Sequence, residues 1–201
     1  MKRISFLLAA IFAVAAFVSF NSFNAASAKD GLAVGATLDN FKLTDANGAE
    51  KSFNDLKGKN GAILVFLSVQ CPVVKGYNER IVKLADDYAA KGINVIGINS
   101  NSTENADKVK AHSADNYKFP VLIDKGNVLA DKLGANVTPE AFYFNEKNVL
   151  VYHGAIDNDR SGENVTMNFL RDALDSNLGG KTVEKTSANA FGCTIKRVAK
   201  N

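Results

Sequence analysis

The chain is 201 residues long, has two cysteines and no tryptophan, and sets 24 basic against 21 acidic side chains for a net charge of +3. That length suits one domain, and 46% hydrophobic with 22% charged residues is a globular composition, which excludes a disordered or fibrous chain. The small charge excess, without a Lys/Arg cluster, argues against a nucleic-acid binder, and two cysteines are too few for a disulfide-dense scaffold or a four-thiolate zinc site.

Residues 1–28 read as an export signal. Lys2 and Arg3 form a basic start, Ile4 to Phe20 are apolar apart from Ser5 and Ser19, and Ala26-Ser27-Ala28 fits a small-residue cleavage site. Cleavage after Ala28 is expected, and an uncleaved anchor would be the protein's one attachment to a membrane. Either way residues 29–201 are expected outside the cytoplasm, where disulfides persist. Without Lys2 and Arg3 the basic count falls from 24 to 22 against 21 acidic residues, so the mature domain is close to neutral.

Along the mature chain, Asp45-Ala46-Asn47-Gly48 and Leu56 to Gly61 read as turns. Ala62 to Leu67 is a continuous apolar run, the pattern of a strand buried on both faces. Pro72 then opens a helix whose apolar positions Ile81, Leu84, Ala85 and Tyr88 recur at helical spacing until Gly92. Ile93 to Ile98 is a second buried strand. A weaker helix follows around Glu104 to Ala114, then a strand at Pro120 to Ile123 and a short helix at Val128 to Leu133. Ala141 to Phe144 and Val149 to His153 form a hairpin around Asn145 to Asn148. Val165, Phe169, Leu170, Ala173, Leu174 and Leu178 line one face of a last helix, ended by Gly179-Gly180. Strands alternating with helices imply an α/β sheet with a parallel βαβ unit over 29–180. Residues 181–201 form a tail without periodicity that contains Cys193.

Cys71 lies where the first buried strand meets the helix opened by Pro72. Proline is favoured at a first helical position because its missing N–H has no intrahelical partner to lose. A thiol just ahead of it faces free backbone N–H groups and the positive end of the helix dipole, and both favour thiolate. Lys75, four residues on, is expected on the same helix face, adding positive charge. A buried, inert cysteine is the alternative. Val137-Thr138-Pro139-Glu140 is a second signal, a proline entering a strand through a tight turn of the kind that accommodates a cis bond.

Together these pieces resemble the thioredoxin-like superfamily. The match runs through Val65 to Pro72, which is similar to the superfamily's strand-to-active-cysteine segment, and through the proline loop Val137-Thr138-Pro139. The chain is more closely similar to the peroxiredoxin-like group of the alkyl hydroperoxide reductase/thiol-specific antioxidant (redoxin) family. There the matching pieces are Gln70 to Lys75, Ile98 to Asn101, Leu133 to Ala135, Val151 to Asp157, and the ending Gly192-Cys193-Thr194-Ile195-Lys196. The resemblance implies a thioredoxin-like fold, a central mixed β-sheet flanked by helices, with Cys71 facing Pro139. It implies a thiol oxidoreductase that uses a Cys71 thiolate to reduce peroxides or protein disulfides, with an external thiol as reductant and no cofactor. Ser68 is expected to donate a hydrogen bond to sulfur or peroxide, while Pro72, Thr138 and Pro139 shape the wall that meets a partner chain.

Several positions depart from those patterns. Val74 stands where thioredoxin-type enzymes have a second cysteine, and Leu64 stands where peroxiredoxins have proline. Arg80 is nine residues into the helix, about 13 Å along its axis from Cys71, too far to assist the thiolate without a bend. Arg160 falls in a loop whose place the sequence does not give, and Arg197 replaces the group's tryptophan in the tail. Cys193 is read in three ways. It either condenses with an oxidised Cys71, closes a structural bridge across about 120 residues worth about 4–5 kcal/mol of chain entropy, or remains a tail thiol free to pair with a second chain. Thiol-disulfide exchange in cytochrome c maturation, or a redox-inert binding module, are the corresponding alternatives to peroxide chemistry. No metal site is expected, because Lys75 occupies the position where a copper-binding relative has its second thiolate. His153 reads as a sheet histidine, His112 as solvated, and Asp157 and Asp159 as turn formers. Asn101, Asn136 and Asn164 fall in Asn-x-Ser/Thr triplets, and a glycan on Asn136 would crowd the Pro139 loop, which points to a bacterial periplasm.

Overall fold

A computed structural model describes residues 31–199, so the expected export signal over 1–28 lies outside the described residues. The elements in order are β1 (Lys42–Asp45), β2 (Glu50–Ser52), α1 (Phe53–Leu56), β3 (Gly61–Leu67), α2 (Pro72–Ala89) and β4 (Ile93–Asn99). There follow α3 (Ala106–Asn116), β5 (Val121–Ile123), α4 (Val128–Leu133), β6 (Val137–Thr138), β7 (Glu140–Asn145) and β8 (Leu150–Gly154). The chain ends with α5 (Phe169–Leu178), β9 (Ser187–Ala188) and β10 (Cys193–Thr194).

The eight-stranded sheet runs β2-β1-β5-β4-β3-β7-β8-β9, while β10 and β6 form a separate pair. β3 is parallel to β4 and antiparallel to β7, so the sheet is mixed. The apolar run of β3 explains its central position. All seven of its residues are buried, and alternate side chains enter opposite layers because strand side chains alternate across a sheet. Ile63, Val65 and Leu67 pack with Ile81, Leu84 and Tyr88 of α2 and Leu170 and Leu174 of α5. Ala62, Leu64 and Phe66 pack on the other face with Phe53, Leu129 and Leu133. At about 1.5–3 kcal/mol for each large apolar side chain removed from water, this double burial anchors the strand that ends at Cys71. The arrangement is the thioredoxin-like α/β fold that the resemblance implies.

Three expectations shift on contact with the structure. The helix expected from Val165 begins at Phe169, because the preceding residues are committed to turns. The Asp159 carboxylate accepts from the Ser161 and Asn164 N–H groups, and Asn158 Oδ1 accepts from those of Thr166 and Met167. The helix expected from Glu104 begins at Ala106, where Asn105 caps it by accepting the Lys108 N–H at 3.0 Å. That leaves Glu104 outside the helix. The tail also has structure that its sequence pattern does not reveal, since β9 extends the main sheet beside β8 and β10 pairs with β6.

Candidate functional site

Cys71 is the N-cap of α2, with Pro72 as the first helical residue, as the sequence pattern predicts. Its side chain is 1% exposed, and the thiol donates to the Thr138 carbonyl at 3.2 Å. The Thr138-Pro139 bond is cis, and Thr138 and Cys193 face each other in the antiparallel β6–β10 pair. The tail therefore brings Cys193 beside the strand that holds the Cys71 thiol, near enough for the two thiols to bear on each other's acidity. Both cysteines are thiols.

The two sulfurs are driven apart in acidity. Burial works to raise the Cys71 pKa. It is outweighed by the Cys193 thiol, the Val74 N–H, the Thr138 hydroxyl and the Cys193 N–H, which together hold the pKa below the ordinary thiol value. Cys193 is pushed up by burial and by donating to a developing Cys71 thiolate, against the opposing pull of the Val73 N–H and the Arg160 charge. The two thiols titrate as a coupled pair, with the split in acidity favouring the charge on Cys71.

Two buried glutamates, neither singled out by the sequence pattern, brace the walls around the thiol. Glu104 is 6% exposed. Its Oε1 accepts from the Ser68 hydroxyl at 2.7 Å and the Gln70 N–H at 2.9 Å, and its Oε2 accepts from the Val69 N–H at 2.9 Å and the Asn99 amide at 2.6 Å. Burial acts to raise its pKa, but these four donors win and hold it below the usual carboxylate range. Glu140, next to Pro139, accepts the Asn136 and Val137 N–H groups through Oε2 at 2.9 and 3.3 Å. With fewer donors, burial prevails and its pKa is raised. In the sequence Glu104 stands in the polar stretch Asn99 to Asn105, which reads as surface, so no local pattern marks it.

Two of the expected site residues do something else. Ser68 donates its hydroxyl proton to Glu104, so it is not available to donate to sulfur or peroxide. Lys75 is exposed and is absent from the groups that hold down the Cys71 pKa; its charge bears instead on His112, helping to lower that half-buried histidine, whose shift is led by burial. The reason is geometric: Cys71 precedes the helix with extended backbone, so the i,i+4 rule for helix faces does not relate it to Lys75. Pro72 is exposed at the rim. Arg80 stays remote, ion-paired to Asp157 at 2.6 Å and set over the Tyr77 ring. Asp157 is 3% exposed and also accepts from the Tyr77 hydroxyl, so it is a buried anchor rather than only a turn former. His153 stacks on Phe142 in the sheet, and the described residues contain no cluster of three or more metal-ligating side chains.

Residues 34–153 match the model of the AhpC/TSA family. The chain belongs to that family. Membership makes it an oxidoreductase of the redoxin type, and its site is to be understood in those terms. The thiol-disulfide oxidoreductase ResA of Bacillus anthracis is 30% identical over 125 residues, spanning 61% of this chain and 70% of that protein. A hypothetical protein of Sinorhizobium meliloti has a similar solved structure, with a TM-score of 0.77 and 35% identity over 85% of this chain and 97% of that one. The peroxidoxin BcpB of Mycobacterium tuberculosis shares the fold alone, at 18% identity and a TM-score of 0.53 over 73% of this chain and 94% of that one. The family match ends at His153, before the tail that places Cys193 on the site.

Proposed function

We infer that this redoxin is an exported thiol-disulfide oxidoreductase in which Cys71 is the nucleophile and Cys193 the resolving thiol. The observation that supports the reading best is that Cys193 lies opposite Thr138 in the β6–β10 pair while the Thr138 carbonyl accepts from the Cys71 thiol at 3.2 Å, with the acidity split in favour of Cys71. Cys193 thereby takes the part that Val74 cannot. The Cys71 thiolate attacks one sulfur of a partner disulfide, forming a mixed disulfide and expelling the other sulfur as a thiolate that takes up a proton. Cys193, deprotonated in turn, attacks the Cys71 sulfur, closes the Cys71–Cys193 disulfide and releases the partner's second thiol. The partner is reduced by two electrons and this protein is oxidised by two. An external thiol returns it to the dithiol form. Thr138 and Pro139 form the wall opposite Cys71, and the compartment is the periplasm, in keeping with the export pattern of residues 1–28.

Disulfide exchange is favoured over peroxide reduction because Arg80 is committed to Asp157, the Arg160 charge bears on Cys193 and is not among the groups that hold down the Cys71 pKa, and the Ser68 proton is committed to Glu104. The test is a trapping experiment on the mature protein. With a protein disulfide as substrate, Cys193→Ser accumulates a mixed disulfide at Cys71 that mass spectrometry identifies, whereas the wild type passes on to the Cys71–Cys193 disulfide. Efficient peroxide consumption without disulfide exchange would replace this reading with the peroxidase one. Absence of both reactions would leave an inert binding module.

A further inference from the structure

The tail does more than deliver a thiol. It lies over the nucleophile: Cys71 is 1% exposed and bonded to the Thr138 carbonyl, Cys193 pairs with Thr138, and Phe191 packs against Tyr77 of α2 in the core layer that contains Cys71. A partner sulfur cannot reach Cys71 in line while that cover is closed. The cover is an extended strand lying on the edge of β6, with Cys193 opposite Thr138 and Thr194 opposite Val137. Its side chains alternate: Cys193 faces the site, Thr194 is exposed, and Ile195 is 3% exposed in the layer with Leu129, Ala130, Leu133 and Ala135. Gly192 is close against the opposite backbone, where a Cβ would lie 2.0 Å from the Thr138 oxygen.

Most of the remaining attachment is made to the tail's main chain. The Ile195 N–H donates to the Asn136 carbonyl at 2.9 Å, and the Lys196 N–H donates to Asn101 Oδ1 at 3.0 Å. The Lys196 carbonyl accepts from the Ser102 N–H at 2.8 Å, and the Val198 N–H donates to Asn127 Oδ1 at 2.8 Å. Arg197 adds an ion pair to Asp131 at 2.7 Å. A surface that binds main chain in this way accepts any extended peptide whose side chains fit. Its selectivity lies at three positions: no side chain before the cysteine, the cysteine itself, and an aliphatic side chain two residues later.

We propose that residues 192–195 are a built-in stand-in for the substrate. When the tail lifts, the edge of β6 takes an extended partner segment of the form Gly-Cys-x-aliphatic, with its disulfide sulfur delivered to Cys71. This rests on the assignment of Cys71 as the nucleophile. Tail and partner compete for one strand position, so the docked tail both restrains Cys71 and selects what displaces it. After the mixed disulfide forms, the return of the tail to the same edge brings Cys193 to the Cys71 sulfur and expels the partner strand.

The test uses the full mature chain carrying Cys193→Ala and Ile195→Asp, which removes the resolving thiol and unseats the tail. Three blocked hexapeptides, Phe-Gly-Cys-Thr-Ile-Lys, Phe-Ala-Cys-Thr-Ile-Lys and Phe-Gly-Cys-Ile-Thr-Lys, are each supplied as mixed disulfides with thionitrobenzoate. Release of the yellow thiolate reports attack by Cys71. The first peptide is expected to react about tenfold or more faster than either of the others, and faster with this variant than with Cys193→Ala alone, in which the tail still competes. Equal rates for all three, with Cys71 still reacting with free dithionitrobenzoate, overturn the stand-in proposal and leave the nucleophile assignment intact. No reaction even with that small reagent, in a variant whose circular dichroism matches the wild type, overturns the nucleophile assignment itself. Gly192→Ala, which drives a methyl group onto the Thr138 carbonyl, unseats the tail by a different route and must give the same ranking. A tail-exchanged dimer in place of an open monomer, seen by sedimentation, counts against the proposal.

Discussion

Glu104→Gln tests whether a buried carboxylate holds the segment Ser68 to Gln70 that leads into Cys71. Glu104 accepts four hydrogen bonds, two on each oxygen. An amide of the same shape keeps one accepting oxygen and turns an NH2 group toward the other two donors. If the NH2 takes the Oε1 position it opposes the Gln70 N–H, and if it takes the Oε2 position it opposes the Val69 N–H. In either case one backbone donor is left buried without an acceptor, at about 1–3 kcal/mol, and the bonds that survive lose their charge assistance. The expected destabilisation is about 2–4 kcal/mol. With a urea dependence of about 2 kcal/mol per molar for a domain of this size, the midpoint falls by about 1–2 M.

The deficit depends on pH in a defined direction. The folded pKa of Glu104 lies below its unfolded value of 4.5, so its contribution is present in full above that value and is lost as the pH falls through the folded pKa. The gap between wild type and Glu104→Gln is therefore constant from about pH 7 to about pH 5.5 and narrows below about pH 4.5. Urea unfolding followed by far-ultraviolet circular dichroism at about pH 7 and about pH 4 measures both quantities. A midpoint within about 0.3 M of wild type at neutral pH, or a gap that stays constant into acid, refutes the four-donor account.

The second glutamate should behave in the opposite way. Glu140 accepts through one oxygen and its pKa is raised, so its favourable contribution is lost as the pH rises through the folded value. Glu140→Gln is expected to leave stability at neutral pH within about 1 kcal/mol of wild type or slightly above it, by the same unfolding assay. Arg80→Met strands Asp157, which is buried under the ion pair, and should cost about 3–5 kcal/mol by urea unfolding at neutral pH; a loss below about 1 kcal/mol would show that the pair is not an anchor. For the thiol, the pH profile of iodoacetamide alkylation at Cys71 should have its midpoint below the ordinary 9.0. Cys193→Ala removes the strongest of the groups that hold the thiolate and should move that midpoint upward, whereas an unchanged midpoint would show that Cys193 does not stabilise it.

Much of the scaffold is legible in the chain because it rests on local patterning. The run from Ala62 to Leu67 is apolar on both faces, and the only place for such a strand is mid-sheet. Pro72 marks the first helical residue, and Cys71 is the N-cap by adjacency alone. Thr138-Pro139 marks the loop that meets the thiol. Each of these follows from the preferences of a few consecutive residues, which fold in the same way wherever they sit. The onset of α5 is not legible, because the apolar spacing of Val165 competes with side-chain turns at Asn158 and Asp159 that only the folded loop satisfies.

Read alone, the chain yields the fold class and the redox family through its resemblance in an ordered set of motifs, and the candidate nucleophile through a cysteine placed between a buried strand and a helix-opening proline. It does not yield the groups that surround that cysteine. Ser68, Lys75, Arg80 and Asp157 are each read from local spacing, and their partners lie about 35 to 80 residues away or on another helix. Glu104 has no local signature, and the motif around Cys193 leaves the partner of that thiol open. They reach the site because β4 runs beside β3 and because the tail returns to the edge of β6. A buried carboxylate is stabilised by donors gathered from distant parts of the chain, and a second thiol becomes a partner by proximity. Both are properties of the tertiary structure, for the physical reason that hydrogen bonds and sulfur contacts depend on distance in space rather than on separation in sequence.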